Sequence, residues 1–328
     1  HLASGEVLSF LLDSAGAAEW TVEQLLTVTS EASNEPIEKL LKRARERWTR
    51  GEPPIRVGIG EAWTLERPAR RHLIALVSRG RLEIDRVPRQ VNPGGSLTVS
   101  GRVPAAIPEV NVLVMGPDLV VMDAAVSRQG DRFTSVIPMG ETTGQAWIEL
   151  IGEGRQGPKP MAQLSVHIGQ ELPWSFETAS PPDESHLESS AAAEVHALAL
   201  FQADRRRFGL APLARSKALD AVARGHSEDM ARSSFFAHVS PTTGSVTDRL
   251  RVGEVRTVLH GENIARNDTL WDAEAGLMRS IGHRRNILHA EATEVGIGIA
   301  RAGASRNRQW VLTQVVARPM PVIDPVQV

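Results

Sequence analysis

Three short segments of unusual composition constrain this chain more than anything else in it. They are Phe-Phe-Ala-His-Val-Ser-Pro (235–241), Gly-Glu-Asn-Ile-Ala (261–265) and Gly-His-Arg-Arg-Asn-Ile-Leu (282–288). Ordinary helix-like sequence separates them. His238, Glu262 and His283 can act together only if a long-range topology folds all three onto one hollow. The flanking sequence must therefore build that topology.

Around the three segments the apolar pattern is helical, then extended. A helix is predicted over 188–208, with Val195, Leu198 and Ala199 inward, ended by Gly209 and Pro212. Ser216 reads as the N-cap of a second helix, on which Leu219, Val222, His226 and Met230 share one face. His226 is read there as a satisfied core histidine. Ser227 has no adjacent base, so it is not a nucleophile. A third helix is expected over about 270–279, and a short one near His283. Two strands, 293–302 and 309–317, close the region. Val295, Ile297 and Ile299 alternate with Gly296 and Gly298, and strand glycines admit close approach by another element.

Upstream the character changes. Residues 86–169 hold short β-rich runs between Gly and Pro turns, at 96–103, 111–115, 119–122, 133–137, 145–151 and 163–168. This spacing predicts an immunoglobulin-like β-sandwich. Trp147 is expected in its core, and the segment shows no evident chemistry. Residues 170–187 read as a linker, with 178–185 mobile or extended. Residues 1–85 read as a small α/β domain. It has a helix over 35–48 carrying Ile37, Leu40, Leu41 and Ala44, a stop at Pro53-Pro54, and strands over 55–62 and 72–78. Arg70-Arg71 is read as a solvated edge. Val57-Gly58-Ile59-Gly60 repeats Val295-Gly296-Ile297-Gly298, which suggests that this domain is a degenerate relative of the C-terminal one.

Composition removes several function classes. A chain of 328 residues suggests two or three domains. A net charge of -2 gives no global basic field, so nucleic acid is not the expected partner. Cysteine is absent, which excludes disulfides and thiol catalysis. No apolar run is long enough to span a bilayer. The first residue is His1, not Met, so the chain is read as processed or artificially trimmed, and any signal peptide would already be gone.

Residues 188–318 resemble the CAP superfamily (cysteine-rich secretory proteins, antigen five, pathogenesis-related proteins), in particular its cysteine-free bacterial branch. The resemblance is carried by Arg207–Leu213, His226–Met230, the three segments above, Ser280-Ile281 before the last of them, Glu294–Gly298 and Trp310–Gln314. It implies a three-layer α-β-α sandwich with a cleft lined by two His and two Glu, which in some members holds a divalent metal. By motif the first His is His238, the first Glu is Glu262 and the second His is His283. The second Glu falls at Ser280, so the tetrad is incomplete. Glu274 lies on the same helix, but about two turns away.

Two chemistries remain open. Two converging imidazoles can bind zinc or a similar divalent ion, with Glu262 as ligand, base or orienting acceptor. The hydrolytic alternative, a peptidase-like enzyme, would use His238, His283 and Glu262. Otherwise the same groups form a hydrogen-bonded cleft without turnover, lined also by Asn263 and Ser280, with Asn263 and Glu262 beside a glycine turn. Arg284 and Arg285 either attract an anion or pair with Glu291 or Glu294. The expected protein is multidomain α+β, in units 1–85, 86–169, 170–187, 188–318 and a tail at 319–328. It is exported to the extracellular space or cell envelope, at the periplasm or outer surface. The expected role is a non-catalytic binding module for a protein or envelope component. A peptide is a further candidate ligand, and a lipid or sterol ligand is a third reading.

Overall fold

The computed structural model describes residues 5–15, 17–18, 22–30, 32–48, 55–64, 68–79, 82–155, 157–175, 182–303 and 309–320. Pro53-Pro54 and most of the predicted tail lie outside them. The chain forms two compact units, His1–Gly152 with Pro160–Phe176, and Glu153–Lys159 with Glu177–Val328.

The first unit begins with α1 (Gly5–Ser14), β1 (Val22–Thr29), α2 (Glu35–Trp48), β2 (Ile55–Trp63) and β3 (Arg71–Arg79). The strands form an antiparallel sheet in the order β1-β3-β2. Glu35 and Glu38 in the first turn of α2 favour its N-terminal dipole. The helix packs Leu40 and Ala44 against Leu25, Leu73, Ala75 and Val77. Arg71 corrects the solvated-edge reading. It is only 4% exposed, and donates to Ser33 O at 2.5 Å and Glu61 Oε2 at 2.7 Å.

Nine strands follow: β4 (Glu83–Ile84), β5 (Gln90–Val91), β6 (Ser96–Arg102), β7 (Glu109–Met115), β8 (Val121–Ala124), β9 (Ser127–Gln129), β10 (Arg132–Pro138), β11 (Gly144–Glu153) and β12 (Lys159–Ile168). They make two sheets, β4-β6-β10-β9 and β5-β12-β11-β7-β8. The sheets share one core, which includes Leu97, Val99, Phe133, Ile137, Ile148, Leu150 and Val166. Side chains alternate faces along a strand, and on β11 the core parity belongs to Ala146, Ile148 and Leu150. Trp147 is therefore on the opposite face and half-buried, contrary to expectation.

The second unit contains α3 (Ser190–Arg207), β13 (Ala214–Arg215), α4 (Lys217–Arg232), α5 (Val246–Val252), β14 (Thr257–Asn267), α6 (Leu270–Arg279), α7 (Ile281–Ile287), β15 (Glu294–Ala302) and β16 (Gln309–Pro319). Its sheet runs β13-β15-β16-β14. Alternation sorts the two faces. Val295, Ile297, Ile299, Leu312 and Val316 pack with residues of α3 and α6, while Val315 and Ala317 pack with Leu219, Val222 and Ala223 of α4. The result is three layers, helix on sheet on helix. A Cβ on Gly296 would lie 2.1 Å from the Leu219 carbonyl carbon, and one on Gly298 2.1 Å from Arg224 N. These glycines let α4 sit directly on β15. Around Gly58 and Gly60 of β2 nothing lies within 4 Å, so the four-residue echo does not mark a shared packing.

Three expectations are revised here. On α3 the buried face is Ala193, Ala197 and Phe201, while Val195 is exposed, because alanines let the helix close on β15. The linker is not loose at its acidic end. Glu184 accepts from the Leu270 and Trp271 N–H groups at 2.7 Å each, and so caps α6. Gly261-Glu262-Asn263 is not at a turn. It lies within the eleven-residue β14, paired to Val316, Val315 and Gln314 of β16. Consecutive polar residues hide this strand, since neither apolar periodicity is present.

Candidate functional site

The site forms where β14 is the edge strand, so groups attached to both faces of the sheet can meet. Glu262 is opposite Val315, on the α4 side, and Asn263 is opposite Gln314, on the α6 side.

The Glu262 side chain is 2% exposed. Its Oε1 lies 3.0 Å from His238 Nδ1, and its Oε2 accepts from Arg249 Nη2. Burial alone would raise this carboxyl. The His238 hydrogen bond and the Arg249 charge outweigh it and hold the group below the ordinary carboxylate range. Arg249 comes from α5, which opens on a full capping box between Ser245 and Asp248. It also donates to Gly244 O at 2.6 Å, and both terminal nitrogens reach His238 O at 3.3 Å. The segment carrying His238 is further held by Asp229, which accepts from Ser240 Oγ at 2.6 Å and Thr242 Oγ1 at 2.9 Å.

His283 enters from α7, and its N–H donates to the N-cap Ser280 Oγ at 3.4 Å. Its ring stacks on His238, with centroids 6.1 Å apart and planes inclined by 28°. The surrounding protein, and then His238, push its pKa down to about 3, so the imidazole is neutral at physiological pH. Its Nδ1 is buried without a hydrogen-bond partner. His226 is fully buried, with Nε2 3.0 Å from Ala237 O and 3.9 Å from Glu262 Oε1. Ser227 Oγ donates to Gly298 O at 2.9 Å, and Thr313 Oγ1 lies 2.8 Å from it.

The structure thus brings His238, Glu262 and His283 together. Asn263 and Ser280 are 1% and 0% exposed, so neither presents its side chain to solvent. Asn263 Nδ2 donates to His283 O at 3.1 Å and Gln314 Oε1 at 3.0 Å. Asn286 Nδ2 donates to Asn263 Oδ1 at 2.9 Å and Glu262 O at 3.3 Å. Gly261 makes room for this, since a Cβ there would lie 2.5 Å from Asn286 Oδ1. Gln314 Nε2 continues the chain to Glu274 Oε2 at 2.5 Å. Burial and then Asp204 push the Glu274 carboxyl up to about 8, against the Gln314 hydrogen bond. Sequence reasoning missed Arg249, which stands in none of the motifs, and the Gln314–Glu274 link. Asn286 and Gln314 did stand at motif positions, which was the available signal. Arg284 lies over Phe208 at 4.5 Å, and Glu291 pairs with Arg318 at 3.0 Å.

The donor set fits a three-ligand divalent metal poorly. Both Glu262 oxygens are engaged, and the Arg249 cation stands beside them. Among the described residues no three His, Cys, Asp or Glu side chains form a metal-holding group.

The family profile described as "CAP: Cysteine-rich secretory protein family" matches residues 198–316. Two relatives from Bacillus subtilis (strain 168) match part of the chain. The "Uncharacterized membrane protein YlbC" is 37% identical over 131 residues, which is 39% of this chain and 38% of the relative. The "Uncharacterized protein YkwD" is 35% identical over 124 residues, which is 38% of this chain and 48% of the relative. The chain thus spans less than half the length of either. A solved extracellular protein containing a SCP domain from Bacillus anthracis is 19% identical (TM-score 0.35), over 84% of this chain and 92% of that one. A cysteine-rich secretory protein from Staphylococcus aureus is 13% identical (TM-score 0.33), over 85% of this chain and 90% of that one. Among the described residues no helix is long and apolar enough to cross a membrane. Residues 198–316 of this chain are a CAP domain, of the cysteine-rich secretory protein family.

Proposed function

We propose that the chain is a non-catalytic binding module of the bacterial extracellular space or cell envelope, whose CAP cleft receives a protein or envelope component. One observation carries this reading. Glu262, the carboxylate that a hydrolytic site would need free, is buried and engaged at both oxygens by His238 and Arg249. Ser280, at the motif position of the second acid, is buried as a helix cap. The immunoglobulin-like sandwich would serve as a spacer. Extracellular placement draws on the description of the Bacillus anthracis protein.

The hydrolytic alternative draws on the neutral His283 ring, which stacks on His238 and whose Nδ1 has no hydrogen-bond partner. Two measurements decide between them. Purified protein is assayed for bound metal and for cleavage of a fluorogenic peptide library, with and without zinc. The expected result is neither stoichiometric metal nor cleavage above buffer. Zinc-dependent cleavage that is lost in both His238→Ala and His283→Ala would overturn the proposal. In pull-downs from solubilised bacterial envelopes, at least one component should be recovered about tenfold less by these variants, as expected when a central contact is truncated. Equal recovery by wild type and variants would also count against it.

A further inference from the structure

The sandwich was expected to carry no chemistry, yet the first unit holds a cavity of about 810 Å³ lined wholly by its own residues. That volume is in the range of small-molecule sites. We propose that this cavity binds a small amphiphilic anion, with an apolar body and a phosphate- or carboxylate-type head.

The apolar wall is rigid because it is the edge of the sandwich core. Leu82, Met161 and Ala162 are each at most 5% exposed, and Leu164 packs against the same cluster. The polar wall is also built. Asp13 accepts from Ser165 Oγ at 2.6 Å, Ser165 N at 3.2 Å and Arg89 Nη2 at 3.0 Å, which ties the end of α1 to β12 and neutralises Arg89. Asp85 is engaged by Ser100 Oγ at 2.6 Å and Arg132 Nη2 at 2.7 Å.

Both carboxylates on the lining are therefore satisfied, and the positive charge of Arg86 is left over. Arg86 is exposed at the rim and makes no ion pair or hydrogen bond with any described residue. Arg56, also on the lining, has one nitrogen 3.3 Å from Leu82 O. A guanidinium at the rim of a hollow with one apolar wall suits an oxyanion head joined to an apolar body, since the head finds charge-assisted hydrogen bonds and the body leaves water.

The test is calorimetric titration of the full chain with decyl phosphate below its micellar concentration. One saturable site is expected. Inorganic phosphate and decyl maltoside should bind at least about tenfold more weakly, because each lacks half of the recognition. Arg86→Glu, a surface change, should weaken binding about tenfold or more. Ala17→Trp should obstruct part of the hollow and weaken binding about tenfold or more. His238→Ala should bind as wild type, which separates this site from the CAP cleft. The proposal is overturned by the absence of saturable binding, by equal affinity for decyl maltoside, or by wild-type affinity in Arg86→Glu. Binding to anionic phospholipid vesicles without binding to free decyl phosphate would assign the surface to membranes and overturn it too.

Discussion

Replacing Glu274 by glutamine should change how the second unit's stability depends on pH. In the fold this carboxyl is pushed from 4.5 to about 8 by burial and then by Asp204. Its folded pKa thus lies above the unfolded value. Below about pH 4.5 both states hold the proton. Above it the unfolded state releases the proton while the folded state keeps it, so stability falls as pH rises towards 8 and then levels off. At 1.36 kcal/mol per unit, the loss at pH 7 is roughly 3 kcal/mol relative to acid conditions. Glu274→Gln removes the titration, and its side-chain oxygen can still accept from Gln314. It also introduces a buried N–H without an evident acceptor, a pH-independent cost of about 1–2 kcal/mol.

The assay is urea unfolding of both proteins from pH 5 to 8, read by hydrogen exchange at β16 amides so that the second unit alone is followed. The difference between the two proteins should grow by roughly 3 kcal/mol across this range, in favour of the variant. Asp204, itself raised by burial, titrates in both proteins, and Asp204→Asn provides the control. A difference flat within about 0.5 kcal/mol would refute the argument, because a buried carboxyl of this kind cannot be indifferent to pH.

Two further outcomes follow from packing. The side chains of Glu262 and Arg249 are 2% and 6% exposed, so Arg249→Ala leaves a buried carboxylate without its cation and should cost about 3–5 kcal/mol in urea unfolding. A cycle with Glu262→Gln should give a double variant well short of additive, and strict additivity would remove the pair from the account. Gly298→Ala drives a Cβ into the backbone of α4 and should cost about 1–3 kcal/mol or more. Gly58→Ala meets open space and should stay within about 0.5 kcal/mol, and equal losses at the two sites would contradict the contrast between β2 and β15.

The regular elements of the second unit were largely legible because their apolar periods are clean. Leu219, Val222, His226 and Met230 share a buried face of α4, and Val295, Ile297 and Ile299 alternate along β15. β14 was not legible, because its polar residues are in a strand for reasons that lie in its partners. The three principal site residues could be named from motif alone, since local sequence preserves residue type. The engagement of Glu262 was not legible, because Arg249 arrives from a helix in none of the motifs and takes one of its oxygens. Residue order along the chain specifies which positions are polar and which segments alternate. Tertiary structure decided which charges meet, which carboxyl stays neutral and where a hollow opens, because desolvation and pairing depend on neighbours in space rather than along the chain.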